Sequence, residues 1–195
     1  MRVPATTPLL SVMFFCCMAF VAGTALAEEK AMTPLAGGIP MIEGIKMLEV
    51  GTAAPDFSVK DSDGKPFRLS EEKGKKAFLL VFWSIFCEPC RAEMPVIQKM
   101  HEKYRESGLN VVTIALDGEP LVGSIAGFIR QEGYTFRVLI DELDSQEMFK
   151  VADPYGVAGT PTLFLLDRAG KVALARAGRL TDEELEKAIQ AVLKK

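Results

Sequence analysis

Apolar residues in this chain fall into blocks whose length and spacing distinguish strands from helices. Residues 77–84 read Ala-Phe-Leu-Leu-Val-Phe-Trp-Ser, the continuous apolar run of a strand covered on both faces, and predict a central parallel strand. Residues 111–116 and 136–140 repeat the pattern and predict two further buried strands. From Glu88 to about Ser107 the composition is helical, with Gly108 as a stop and Pro95 predicting a kink. Residues 121–131 predict a second helix ended by Gly133, and residues 146–152 a short third one. Residues 162–166 and 172–176 flank Asp167-Arg168-Ala169-Gly170 and predict an antiparallel hairpin. Thr181 followed by Glu184 has the spacing of a capping box, and Leu185, Ile189, Val192 and Leu193 give the last helix one apolar face. Nearer the N-terminus, residues 57–60 and 67–69 flank Asp63-Gly64 and predict a small opening hairpin. Strands alternating with helices, then a hairpin and a final helix, predict an α/β domain with a mixed central sheet flanked by helices.

Residues 1–27 differ in kind. Arg2 is followed by a nearly unbroken apolar stretch, then Ala25-Leu26-Ala27 and the acidic pair Glu28-Glu29, which predicts a secretory signal peptide cut after Ala27. The uncharged stretch from Pro8 to Ala27 is also long enough to serve as an N-terminal membrane anchor. Either way the rest of the chain is expected outside the cytoplasm, periplasmic or extracytoplasmic, as a soluble or tethered domain. Residues 28–50 carry Pro34, Gly37, Gly38, Pro40 and Gly44 without an apolar period and predict a linker, which leaves residues 51–195 as the domain. With 23 basic against 26 acidic residues, the chain offers no electrostatic case for nucleic acid or an anionic membrane surface. Of its 4 cysteines, Cys16 and Cys17 lie in the N-terminal segment, so the domain has Cys87 and Cys90 alone, in an oxidising compartment.

Cys87-Glu88-Pro89-Cys90 stands where the strand at residues 77–84 gives way to a helix. The first amide hydrogens of a helix have no partner within it, and their partial positive charge stabilises an anion. Cys87 is therefore expected to be partly thiolate and to act as the nucleophile. Cys90, one turn further on the same face, is placed to attack a mixed disulfide at Cys87 and release the partner. Pro89 suits a first turn, where its missing amide hydrogen costs nothing. A zinc site would need two more soft ligands, and beyond these cysteines there is only His101, itself expected on the helix surface. Copper(I) can use two thiolates with fewer partners, so a copper-handling or partner-binding module remains an alternative. A purely structural disulfide here would close so short a loop that it stabilises by only about 2 kcal/mol. No metal or other cofactor is expected.

Three separated stretches carry a resemblance: Ala54-Pro55-Asp56-Phe57 with Asp63-Gly64-Lys65; residues 82–95, from Phe82-Trp83-Ser84 through the dithiol to Glu93-Met94-Pro95; and Tyr155-Gly156-Val157-Ala158-Gly159-Thr160-Pro161-Thr162. With these pieces in this order, residues 51–195 resemble the thioredoxin-like family, specifically its exported TlpA/ResA type. The resemblance implies a thioredoxin fold with an N-terminal hairpin and one extra strand-helix unit, placed at residues 136–152. It implies a cis bond between Thr160 and Pro161 facing the dithiol, which leaves the Thr160 backbone free to pair with an extended substrate strand. Glu93 matches an acidic residue that relatives keep beside the dithiol, where a carboxylate can accept a proton from Cys90; the alternative is a solvated helix glutamate. Glu88 and Pro89 between the cysteines, Phe86 where thioredoxin has a tryptophan, and Trp83 are expected substrate-side residues, although Trp83 is explained equally by packing. The implied activity is a monomeric thiol-disulfide oxidoreductase that reduces disulfides in exported proteins, with apocytochrome c as the suggested client class and a membrane-embedded thiol protein as electron donor. A thiol peroxidase shares the domain opening, but its Pro-x-x-x-Thr-x-x-Cys pattern is replaced here by Leu80 and Ser84 ahead of Cys87.

Overall fold

The structure is a computed structural model; it describes residues 45–194 apart from residue 73, together with the backbone of residues 33–34 and 40–41. The apolar segment at residues 1–27 lies outside the described residues. Among the described residues, no helix is long and apolar enough to cross a membrane.

Strands β1 (Thr33–Pro34) and β2 (Pro40–Met41) form a minimal antiparallel pair in the leader. The domain opens with the hairpin β3 (Ser58–Lys60) and β4 (Pro66–Arg68), turned through Gly64 at φ 79, and the short helix α1 (Leu69–Glu72). Then follow β5 (Ala77–Trp83), α2 (Glu88–Tyr104), β6 (Leu109–Ala115), a 3-10 turn at Glu119–Leu121 and α3 (Val122–Glu132). The chain continues through β7 (Arg137–Ile140), β8 (Thr162–Leu166), β9 (Val172–Ala177) and α4 (Asp182–Leu193). Five strands form one sheet in the order β7-β6-β5-β8-β9. Its β7-β6-β5 half is parallel, and β8 and β9 run antiparallel.

Strand β5 is apolar throughout because it lies at the centre and feeds two cores by alternation. Ala77, Leu79, Val81 and Trp83 join Met94, Ile97, Ile125, Leu185 and Ile189 of α2, α3 and α4. Phe78, Leu80 and Phe82 point the other way, to Phe57, Phe67, Leu69 of α1, Tyr155 and Phe164. Each fully buried side chain of this size contributes about 1.5–3 kcal/mol of transfer free energy.

Three expectations change. Residues 146–152 are not a helix: the chain makes turns over residues 150–156, and Glu147 has φ 60. Carboxylates take the amide hydrogens that a helix would need, since Asp144 accepts from Gln146 and Met148, Asp153 from Phe149, and Asp141 from Val151 and Ala152. Helix α2 stops at Tyr104, short of Ser107, and closes through turns to Gly108 at φ 97. Before the expected boundary at Gly51, the leader is already docked: the Leu48 N–H donates to the Tyr155 carbonyl at 3.2 Å, and Met47 and Leu48 pack on the second core. That contact needs a glycine at 156, where φ is +67 and a Cβ would collide with the Lys46 carbonyl.

Candidate active site

The end of β5 and the start of α2 are joined by a turn at residues 84–87. Pairing of β5 with β6 runs on to the Leu116 N–H, which donates to the Trp83 carbonyl at 2.9 Å, so residue 117 arrives beside residue 84. There the Ser84 hydroxyl donates to Asp117 Oδ1 at 2.7 Å and the Ile85 N–H to Asp117 Oδ2 at 3.0 Å. The Phe86 N–H donates to Ser84 Oγ at 3.2 Å, and the Cys87 N–H to the Ser84 carbonyl at 3.1 Å.

Cys87 is the N-cap of α2, with extended backbone at φ −82 and ψ 101, and its sulfur accepts the Cys90 N–H at 3.2 Å. The sulfur thus occupies the place of an N-cap oxygen, against amides that no helical carbonyl satisfies. Cys87 and Cys90 are joined as a disulfide, with Cα atoms 5.2 Å apart. They differ in access: Cys90 is 1% exposed and belongs to the core, whereas Cys87 is half-buried at its margin. An incoming nucleophile or disulfide therefore meets Cys87 first. Glu88 and Pro89 are exposed, and Phe86 stands out with 76% of its surface in solvent.

Trp83 is a correction. It is fully buried, with its ring 5.9 Å from that of Phe128, so it cannot touch a substrate; it packs beneath the dithiol in the same core as Cys90. Its position on a strand buried on both faces decides this. Glu93, in contrast, is not a solvated helix residue. It is 1% exposed; Oε1 accepts the Leu180 N–H at 3.1 Å, and Oε2 has no partner among the described residues. Burial pushes its carboxyl above the ordinary carboxylate range, against the opposing pull of the Leu180 N–H and the Arg179 charge. His101 is half-buried rather than on the surface, edge-on to Phe136 at 6.4 Å, and burial lowers its basicity.

The Thr160–Pro161 bond is cis. Pro161 is buried and Thr160 half-buried, and the Pro161 carbonyl accepts the Gly178 N–H at 2.8 Å. Because β8 runs antiparallel to β5 with Thr162 opposite Phe82, the cis bond lies at the sheet end from which the dithiol turn departs. Cys87, Cys90 and Glu93 share the first turns of α2, with Phe86, Glu88 and Pro89 around the exposed sulfur. Asp117 was not among the expected residues. Its only signal in the sequence is a polar residue directly after the apolar strand, at the carboxyl end where α/β sheets place their sites.

The AhpC/TSA family model matches residues 50–175. Among curated proteins, the thiol-disulfide oxidoreductase ResA of Bacillus thuringiensis (strain Al Hakam) is 39% identical over 139 residues, covering 71% of this chain and 76% of that protein. The ResA of Geobacillus thermodenitrificans (strain NG80-2) is 34% identical over 143 residues, covering 73% of this chain and 78% of that protein. A solved thiol:disulfide interchange protein of the thioredoxin family from Chlorobium tepidum TLS superposes with a TM-score of 0.63 at 26% identity, covering 76% of this chain and 99% of that one.

Proposed function

This chain belongs to the AhpC/TSA family and is a thioredoxin-fold thiol-disulfide oxidoreductase of the ResA type, and from that premise we propose that it works as a reductase of disulfides in exported proteins. Cys87 is the attacking residue, Cys90 the resolving residue and Glu93 the proton acceptor. In the reduced state the Cys87 thiolate attacks a client disulfide, forming one sulfur–sulfur bond as the client's breaks, and the first client sulfur leaves as thiolate. Cys90 gives its proton toward the Glu93 carboxylate and attacks Cys87; the Cys87–Cys90 bond closes, the second client thiolate departs, and two electrons have passed to the client. The reading is carried by one observation: a dithiol at the start of α2 whose first sulfur borders solvent while the second is sealed in the core.

Phe86, Glu88, Pro89 and the backbone at Thr160–Pro161 form the client-binding rim. Apocytochrome c, with paired cysteines at its haem site, is the proposed client class. A membrane-embedded thiol protein returns the electrons, since an oxidising compartment supplies none. The chain acts as a monomer on the outer side of the membrane, released by cleavage or tethered by its N-terminal segment.

The test is a Cys90→Ala variant, which should accumulate clients as mixed disulfides at Cys87. Equilibration of the wild-type dithiol with glutathione should place its potential below about −220 mV, with the reductases. No trapped client, together with a potential near that of a strong oxidant, would overturn the proposal.

A further inference from the structure

Resting on the proposal that Phe86 contacts clients, we infer that Asp117 is a positioning residue for disulfide exchange: one carboxylate at the end of β6 holds the turn at residues 84–86 so that Phe86 stays in solvent beside Cys87. A phenyl ring that is 76% exposed has almost no packing of its own to hold it, so its place is set by its backbone. That backbone is tied at consecutive residues. Asp117 binds the Ser84 hydroxyl at 2.7 Å and the Ile85 N–H at 3.0 Å directly, and reaches the Phe86 N–H through Ser84 Oγ at 3.2 Å. Both carboxylate oxygens are engaged, each on a different residue of the turn. Asp117 is itself placed by the β5–β6 pairing that ends at Leu116. Removing the carboxylate leaves the Ile85 amide and the Ser84 hydroxyl without their acceptor, and lets the turn sample shapes in which Phe86 no longer stands beside Cys87.

The full chain is assayed on two substrates: an oxidised peptide containing Cys-x-x-Cys-His, with dithiothreitol as electron source, and the small disulfide DTNB, mixed in a single turnover with reduced protein freed of dithiothreitol. Asp117→Ala should raise KM for the peptide about tenfold at little-changed kcat, the effect expected when hydrogen bonds that order a binding turn are lost. Its DTNB rate should stay within about twofold of wild type, because a small disulfide needs Cys87 and not the rim. Phe86→Ala should show the same rise in KM, and the double variant should be no worse than either single one. Asp117→Asn should recover most of the loss, since its amide oxygen accepts the Ile85 N–H while its nitrogen donates to Ser84 Oγ. Ser84→Ala, which removes the hydroxyl that links Asp117 Oδ1 to the Phe86 N–H and leaves the Ile85 N–H bond to Asp117, gives an independent reading should Asp117→Ala fold poorly: KM rises in the same direction.

An unchanged KM in Asp117→Ala, or in Ser84→Ala where the first variant does not fold, overturns the inference. So does a multiplicative effect of Asp117→Ala with Phe86→Ala, or an equal loss toward DTNB, which would put the carboxylate's effect at Cys87 itself. An unaffected Phe86→Ala overturns it through its premise, and loss of peptide turnover in wild type would mark failure of the reductase reading instead.

Discussion

Glu93 shows what burial does to one side chain. A carboxyl that holds its proton to higher pH in the folded than in the unfolded chain makes stability fall as pH rises from the ordinary carboxylate range through its raised value. Glu93→Gln keeps an acceptor for the Leu180 N–H and removes the buried charge, with an amide nitrogen in the place of Oε2. Oxidised Glu93→Gln should therefore be more stable than wild type at pH 7, where the wild-type carboxyl is pressed toward its charged form, and the gap should close toward pH 4. Urea unfolding at the two pH values checks this, and a wild type that gains stability as pH rises through that window would contradict it. The same variant should slow the resolving step, seen as longer-lived mixed disulfide in stopped-flow mixing with an oxidised peptide. At this scale the placement of the two cysteines at a helix start is legible from the apolar run that ends just before them and the helical composition that follows, because a helix start depends on near neighbours. Trp83 belongs to the core and not to the client side, as the apolar run of a strand covered on both faces already implies. The bond from Ser84 to Asp117 could not be read at all, since it joins strands that only sheet pairing brings together.

Among the elements, the last helix was readable down to its cap. Thr181 accepts the Glu184 N–H at 3.2 Å, and Glu184 in return accepts the Thr181 N–H at 3.0 Å. Thr181→Ala should cost about 1 kcal/mol of stability and speed hydrogen exchange at the first amides of α4. Because the adjoining Leu180 N–H binds Glu93, the loosening should also shift the pH dependence of stability described above, whereas an Ala substitution at exposed Glu183 should not. The segment at residues 146–152 failed for the complementary reason. Its composition permits a helix, but Asp141, Asp144 and Asp153 offer its amides nearer acceptors, and Asp141 is brought there by the end of β7. Local preference decided α4, and tertiary competition decided the turn region.

Among the described residues the domain is built on one five-strand sheet with a core on each side, and the disulfide crosses only a single helical turn at its margin. On the chain-entropy model, a loop that short makes the oxidised protein more stable than the reduced one by about 2 kcal/mol. Paired urea melts with and without reductant should find that sign, which is the sign a reductase requires; a reduced form more stable than the oxidised one would mark an oxidant. What the chain alone determined was whatever depends on near neighbours: the buried strands and the helices α2, α3 and α4, the terminal hairpin, the capping box, and a dithiol at a helix start. These follow from periodicity and from backbone groups that must find partners within a few residues. Tertiary structure decided which sulfur meets solvent, that Glu93 is sealed inside, that the leader docks from Leu48, and that Asp117 braces the turn before Cys87. Each of those depends on which distant segments share a sheet face or a sheet end, and that is fixed only when the whole core closes.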